Sequence, residues 1–161
     1  MSRMLRILAL LRHGLSSGSC ADAGLLPEGA ALLVRLGAKL AAEGWKPAAI
    51  LASPYRRARE SAAVLAGALD CVAPVVAVDE LLPEGDPVEA LDAIAAAAPL
   101  ASPVLVVGHM PLVGRIALEL VGDDPGFSPG TFVEIAHEGT GAARLLRRVG
   151  PRDLRGSDPE G

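Results

Sequence analysis

Short apolar runs alternating with amphipathic stretches predict an α/β protein: a three-layer α/β/α sandwich around a mostly parallel central sheet, with a C-terminal antiparallel hairpin. Three observations carry this. Leu5 to Leu11 and Val104 to Val107 are wholly apolar, the pattern of strands covered on both faces. Stretches with apolar side chains at helical spacing lie between such runs. Near the end, Thr131 to Ala136 and Ala143 to Val149 flank Glu138-Gly139-Thr140-Gly141, which reads as a hairpin.

The first strand, Leu5 to Leu11, stops abruptly at Arg12-His13-Gly14. Pro27 to Glu43 sets Leu33, Leu36 and Leu40 on one helical face and Arg35, Lys39 and Glu43 on another, and Gly44 ends it. Ala49 to Ala52 is a second buried strand. Ser53-Pro54 then suits a helix start, Ser as cap and Pro as first helical residue, and that helix runs to about Leu69. Val75 to Val78 is a third strand, Asp79 to Asp86 a loop, and Pro87 to Ala98 a helix with Val88, Leu91 and Ile94 inward. Val104 to Val107 ends in Gly108-His109-Met110, before a helix from Pro111 to Leu120. After Gly150 the chain is Pro, Gly and charge, which predicts a single domain over 1–150 and a flexible tail over 151–161.

Composition narrows the functional classes. Apolar residues make up 51% and aromatics only 2%, so the core is built from Ala, Leu and Val. The net charge of −4 and the absence of basic runs, apart from Arg56, Arg57 and Arg59, argue against nucleic acid as a partner. Mean hydropathy is +0.40, but the longest apolar region, Ala93 to Val107, is broken by Pro99, Ser102 and Pro103. A membrane span needs about 20 uninterrupted apolar residues, so no membrane is implied. Ile7 to Leu11 is too short for an export signal. Cys20 and Cys71 lie far apart, without metal-ligand spacing, and read as packing residues in a cytoplasmic protein. The three histidines show no i, i+4 pairing, so no metal or cofactor is expected.

In an open parallel sheet ligands bind beyond the carboxyl ends of the strands, which makes the residues just after each strand the candidates for a site. Arg12 and His13 follow the first strand, Arg57 lies just past the second, and His109 follows the fourth. Guanidinium forks match phosphate oxygens, and helix starts near Pro54 and Pro111 add positive partial charge, so this rim suits an anion. The same positive field disfavours a charged imidazole and equips one histidine as a nucleophile near neutral pH. A lone histidine after a strand is more often structural; the coincidence of three such loops at one end of one sheet outweighs that reading. His137, beside the hairpin turn, reads as a surface residue away from the rim.

The segments Leu11-Arg12-His13-Gly14, Ser53-Pro54-Tyr55-Arg56-Arg57-Ala58 and Val107-Gly108-His109-Met110-Pro111-Leu112-Val113-Gly114 resemble the histidine phosphatase superfamily, also called phosphoglycerate mutase-like. The chain is most similar there to the small SixA-type phosphohistidine phosphatases. The resemblance implies His13 as the nucleophile that forms a phosphohistidine intermediate, with Arg12, Arg57 and His109 binding the phosphoryl group. Arg57 is preferred to Arg56 because it directly precedes Ala58, as in the family pattern. Glu80, Glu84 and Asp86 all lie where a general acid could reach the leaving group. Glu80 is the candidate general acid, being nearest the strand end and matching a family Glu, whereas Asp86 also suits an N-cap for the helix at Pro87. Two positions depart from the family: Leu15 after Gly14, where a polar residue is common, and Leu26-Pro27 at the first helix start.

Three functions follow as expectations. The first is metal-independent hydrolysis of phosphohistidine in a phosphoprotein, the second hydrolysis of a small phosphate ester. The third is a non-catalytic phosphate-binding module, against which the presence of His13 argues, since a binder needs the arginines but no nucleophile.

Overall fold

The computed structural model describes residues 5–138 and 142–155. A six-stranded sheet holds β1 (Leu5–Arg12), β2 (Ala49–Ala52), β3 (Val75–Ala77), β4 (Val104–Gly108), β5 (Phe132–Glu138) and β6 (Ala142–Val149) in the order β3-β2-β4-β1-β5-β6. The first four are mutually parallel; β5 and β6 add antiparallel at the β1 side. This is the expected α/β arrangement. The hairpin joins the strands as expected, while Gly139, Thr140 and Gly141 lie outside the described residues.

The two-residue period of the strands sorts the core into two halves. Leu8 and Leu10 of β1, with Val104 and Val106 of β4, pack under α3 (Pro87–Ala97) and α4 (Leu112–Val121). Ala9 and Leu11, with Leu105 and Val107, pack under α1 (Pro27–Ala42) and α2 (Arg56–Ala68). Both faces of the central strands are covered, which is why those runs are apolar without alternation. Small residues let the helices approach. A side chain at Gly37 of α1 would collide with Ala68 of α2.

Several expectations are corrected. Residues 151–155 do not fray: they form a short helix, α5 (Pro151–Arg155), which packs on α1 and buries Leu154 completely. The cause is one leucine, whose apolar surface finds the α1 side of the core; residues 156–161 lie outside the described set. The second helix begins at Arg56, not at Ser53-Pro54, because the Ser53 hydroxyl turns inward. Likewise α4 begins at Leu112, with Pro111 at its N-cap. On α3 the inward residues are Ala90 and Ile94, with Leu91 partly buried, whereas Val88 is exposed: at helical spacing from Leu91 and Ile94, it lies in the first turn, beyond the sheet's edge of cover. β3 exposes Val76 and Ala77 because it is the edge strand. No helix among the described residues is long and apolar enough to cross a membrane.

Candidate active site

The parallel strands end level. Arg12 pairs with Gly108 and Ala52 with Val107, so residues 13, 53 and 109 leave the sheet side by side. Backbone hydrogen bonds carry the ladder one step further: His13 N–H donates to the Gly108 carbonyl (2.9 Å) and Ser53 N–H to the Val107 carbonyl (3.0 Å). The His13 and His109 rings consequently stand 5.0 Å apart, and both are almost fully buried. Arg57, in the first turn of α2, reaches the same point and is also buried. All four residues expected from the sequence, Arg12, His13, Arg57 and His109, therefore converge.

The hydrogen bonds around His13 select its tautomer. Nδ1 lies 2.7 Å from the Gly14 carbonyl, which can only accept, so Nδ1 carries the proton. Nε2 is left with its lone pair and accepts from Arg57 Nε at 3.3 Å. Burial pushes the His13 pKa down to about 4, opposed by the Gly14 hydrogen bond and aided by Arg57 and Arg12. His109 is pushed down to about 3, again mainly by burial, with His13, Arg57 and Arg12 contributing like charge. Both imidazoles are neutral at pH 7, and the unprotonated Nε2 of His13, positioned by Arg57, has the lone pair of a nucleophile.

Supporting residues hold these groups. Gly14 N–H donates to Ser61 Oγ (2.9 Å), and Ser61 Oγ donates to the Arg57 carbonyl (2.7 Å), tying the β1 loop to α2. Arg57 Nη1 donates to the Cys20 carbonyl (2.7 Å), and its guanidinium lies 5.1 Å from the centre of the Tyr55 ring. Arg12 Nη1 donates to the Phe127 carbonyl at 2.8 Å. Among the described residues, two buried side-chain polar atoms lack a hydrogen-bond partner, Arg12 Nε and His109 Nδ1, and both belong to this cluster. An unpaired buried donor costs about 1–3 kcal/mol. An oxyanion seated beside His13 would satisfy the Arg12 N–H, and His109 Nδ1 as well when the Ser53 hydroxyl donates to Nε2 and leaves the ring proton on Nδ1.

The model of the histidine phosphatase superfamily, branch 1, matches residues 8–86, the stretch from β1 to the N-cap of α3 that carries Arg12, His13 and Arg57. Over that stretch, just under half of its length, the chain is similar to the histidine phosphatase superfamily. Solved structures share the fold. The protein histidine phosphatase SixA complexed with tungstate is similar at TM-score 0.84 and 23% identity, over 92% of this chain and 99% of that one. SixA from Nakamurella multipartitia gives 0.75 and 28%, over 92% and 97%. The phosphoserine phosphatase of Entamoeba histolytica in complex with 3-phosphoglyceric acid gives 0.71 and 16%, over 92% and 99%. No curated protein matches the chain.

Within this cluster, Ser53 is the site residue that sequence reasoning misplaced. It reads as a helix cap, but it is fully buried and its Oγ lies 2.7 Å from His109 Nε2 while accepting from Tyr55 N–H at 3.2 Å. Its position directly after a strand was the available signal. Glu80 lies on an exposed 3-10 turn, Asp79–Leu81, anchored by the buried Leu81. That turn flanks the His109 loop: a Cβ at Gly108 would stand 3.8 Å from the Leu81 carbonyl oxygen. Glu84 is exposed, and Asp86 caps α3 by accepting from Glu89 N–H at 3.0 Å. Leu15 is exposed on the rim, and its carbonyl accepts from Leu26 N–H at 2.9 Å, so both family departures meet through backbone. Cys20 is exposed rather than packed, and it is its carbonyl, not its thiol, that meets Arg57. His137 is half-buried, its pKa lowered by burial and by Arg6; pairing with Arg6 puts it at the opposite end of the sheet.

Proposed function

We propose that the chain hydrolyses phosphohistidine in a phosphoprotein, without a metal, through a covalent phosphohistidine at His13. The observation that carries this reading is the neutral Nε2 lone pair of His13 in a cluster that holds two buried nitrogens without a hydrogen-bond partner, Arg12 Nε and His109 Nδ1. In the first step Nε2 attacks phosphorus and the bond from phosphorus to the substrate nitrogen breaks. That nitrogen keeps the electron pair and takes a proton, for which Glu80 is the candidate donor. In the second step water attacks phosphorus, the P–Nε2 bond breaks, and His13 regains its lone pair as phosphate leaves. Arg12, Arg57 and His109 hold the equatorial oxygens, where positioning and charge stabilisation do most of the work of phosphoryl transfer. The likeness to SixA complexed with tungstate, a tetrahedral oxyanion like phosphate, supports the assignment. Two cysteines without a disulfide among the described residues fit action in the cytoplasm.

The likeness to a phosphoserine phosphatase in complex with 3-phosphoglyceric acid supports a second reading, hydrolysis of a small phosphate ester. Phosphate release from a carrier protein phosphorylated on histidine and from p-nitrophenyl phosphate, both with EDTA, separates the readings. We expect turnover of both, preference for the phosphoprotein, and a loss of at least about 10³-fold in His13→Ala. Preference for the small ester would favour the second reading. No turnover by a folded sample that still binds phosphate would favour a binding module.

A further inference from the structure

Although the chain is net acidic, its C-terminal arginines gather on one cleft. Arg148, Arg152 and Arg155 line a hollow of about 480 Å³ together with Ser128 and Asp153. All three arginines are exposed. The neighbouring Arg147 is neutralised by Glu43 and Glu134, but Arg152 and Arg155 have no ion pair with any described residue. Asp153, the acidic group in the cleft, is engaged as an acceptor for Gly150 N–H at 2.7 Å. Arg152 and Arg155 are held in place because the buried Leu154 between them anchors α5 on α1.

This cleft shares a wall with the phosphate-binding cluster. Arg148 Nε donates to the Gly126 carbonyl at 2.8 Å, and Arg12 Nη1 donates to the next carbonyl, Phe127, also at 2.8 Å. The segment 126–128 therefore has the reactive pocket on one side and the arginine cleft on the other. We propose that the cleft is the docking surface for an acidic face of the phosphorylated protein substrate. The proposal rests on the phosphoprotein reading above. Exposed ion pairs contribute little each, but three arginines against one aspartate among the described residues of the cleft give a net cationic patch that steers an acidic partner and orients it before chemistry. On this proposal the patch acts on the protein substrate and not on a small ester bound at His13.

The test compares the full-length chain with an Arg152→Glu/Arg155→Glu variant and with the milder Arg152→Gln/Arg155→Gln. The substrates are a small acidic carrier protein phosphorylated on histidine and p-nitrophenyl phosphate, at low and at high salt. For the charge reversal at low salt we expect kcat/KM on the phosphoprotein to fall about tenfold or more, chiefly through KM, and its salt dependence to flatten. Turnover of p-nitrophenyl phosphate should stay within about twofold, which also certifies the fold. Unchanged phosphoprotein kinetics would overturn the docking surface and leave the phosphatase assignment standing. Equal losses on both substrates would place these charges in the field of the pocket and also overturn docking. Wild-type turnover of the small ester alone would overturn the phosphoprotein reading and docking with it.

Discussion

At the scale of single residues, His13 combines two constraints that pull its chemistry in one direction. The Gly14 carbonyl holds the proton on Nδ1, and burial beside two guanidiniums keeps Nε2 unprotonated. Since kcat/KM reports the free enzyme, its acid limb should fall near pH 4 instead of near the usual histidine value of about 6.5. The rings of His13 and His109 lie 5.0 Å apart, tilted by 59°, so the limb belongs to the pair. Stability moves differently. Both folded-state values lie below the unfolded value, so the unfolded chain binds more protons as pH falls from about 6.5 towards 4, and folding stability drops through that window. Activity per folded molecule should thus persist at pH 5 while the urea midpoint is lower than at pH 7. A pH profile with p-nitrophenyl phosphate, corrected for the ester's own ionisation, checks the first part. A limb near 6.5 would mean the pocket does not hold His13 neutral. Arg12, His13 and His109 were legible from position, because each stands at or just after a strand end, whereas the choice of Arg57 over Arg56 in the same helical turn needed the family pattern. Ser53 was not legible, since a serine before a proline has equal claim to a helix cap until the fold shows which way its hydroxyl turns.

At the scale of elements, the loop carrying His13 is seated by close backbone approach as well as by the Ser61 hydroxyl. A Cβ on Gly29 of α1 would stand 2.5 Å from the Leu15 carbonyl oxygen and 2.8 Å from its nitrogen, atoms that cannot move without shifting Gly14. Gly29→Ala should therefore displace the loop that orients His13 and lower kcat about tenfold or more, because small misplacements are costly in positioned chemistry. The counterpart Gly67→Ala on α2, where a Cβ would meet nothing within 4 Å, should be silent or slightly stabilising. Comparing kcat and unfolding midpoints for the two variants checks this; equal effects would show that the close approach is dispensable. Helical periodicity found α1 and α2 to within a few residues, but it carries no information on which glycine meets a loop far along the chain. The fault at Val88 has the same root, since spacing specifies a face and not where along the helix cover ends.

At the scale of the whole molecule, Leu154 closes the core at the end of the chain. It is fully buried with Leu33, Leu36 and Leu40 of α1 and with Val149 of β6, so Leu154→Ala should cost about 2–5 kcal/mol in urea unfolding. A cost under about 0.5 kcal/mol, the size of an ordinary surface change, would mean that α5 is dispensable to the core. The α/β class, the strand order of events along the chain and the gathering of Arg12, His13, Arg57 and His109 at one end were all determined by the sequence alone. The physical reason is local: apolar runs and helical periods are written in neighbouring residues, and parallel crossovers bring strand ends to a common edge. Only the tertiary structure decided that Ser53 meets His109, that residues 151–155 belong to the core, and that Arg148, Arg152 and Arg155 share a wall with the pocket. Those are contacts between segments distant in sequence, fixed by packing that no local pattern encodes.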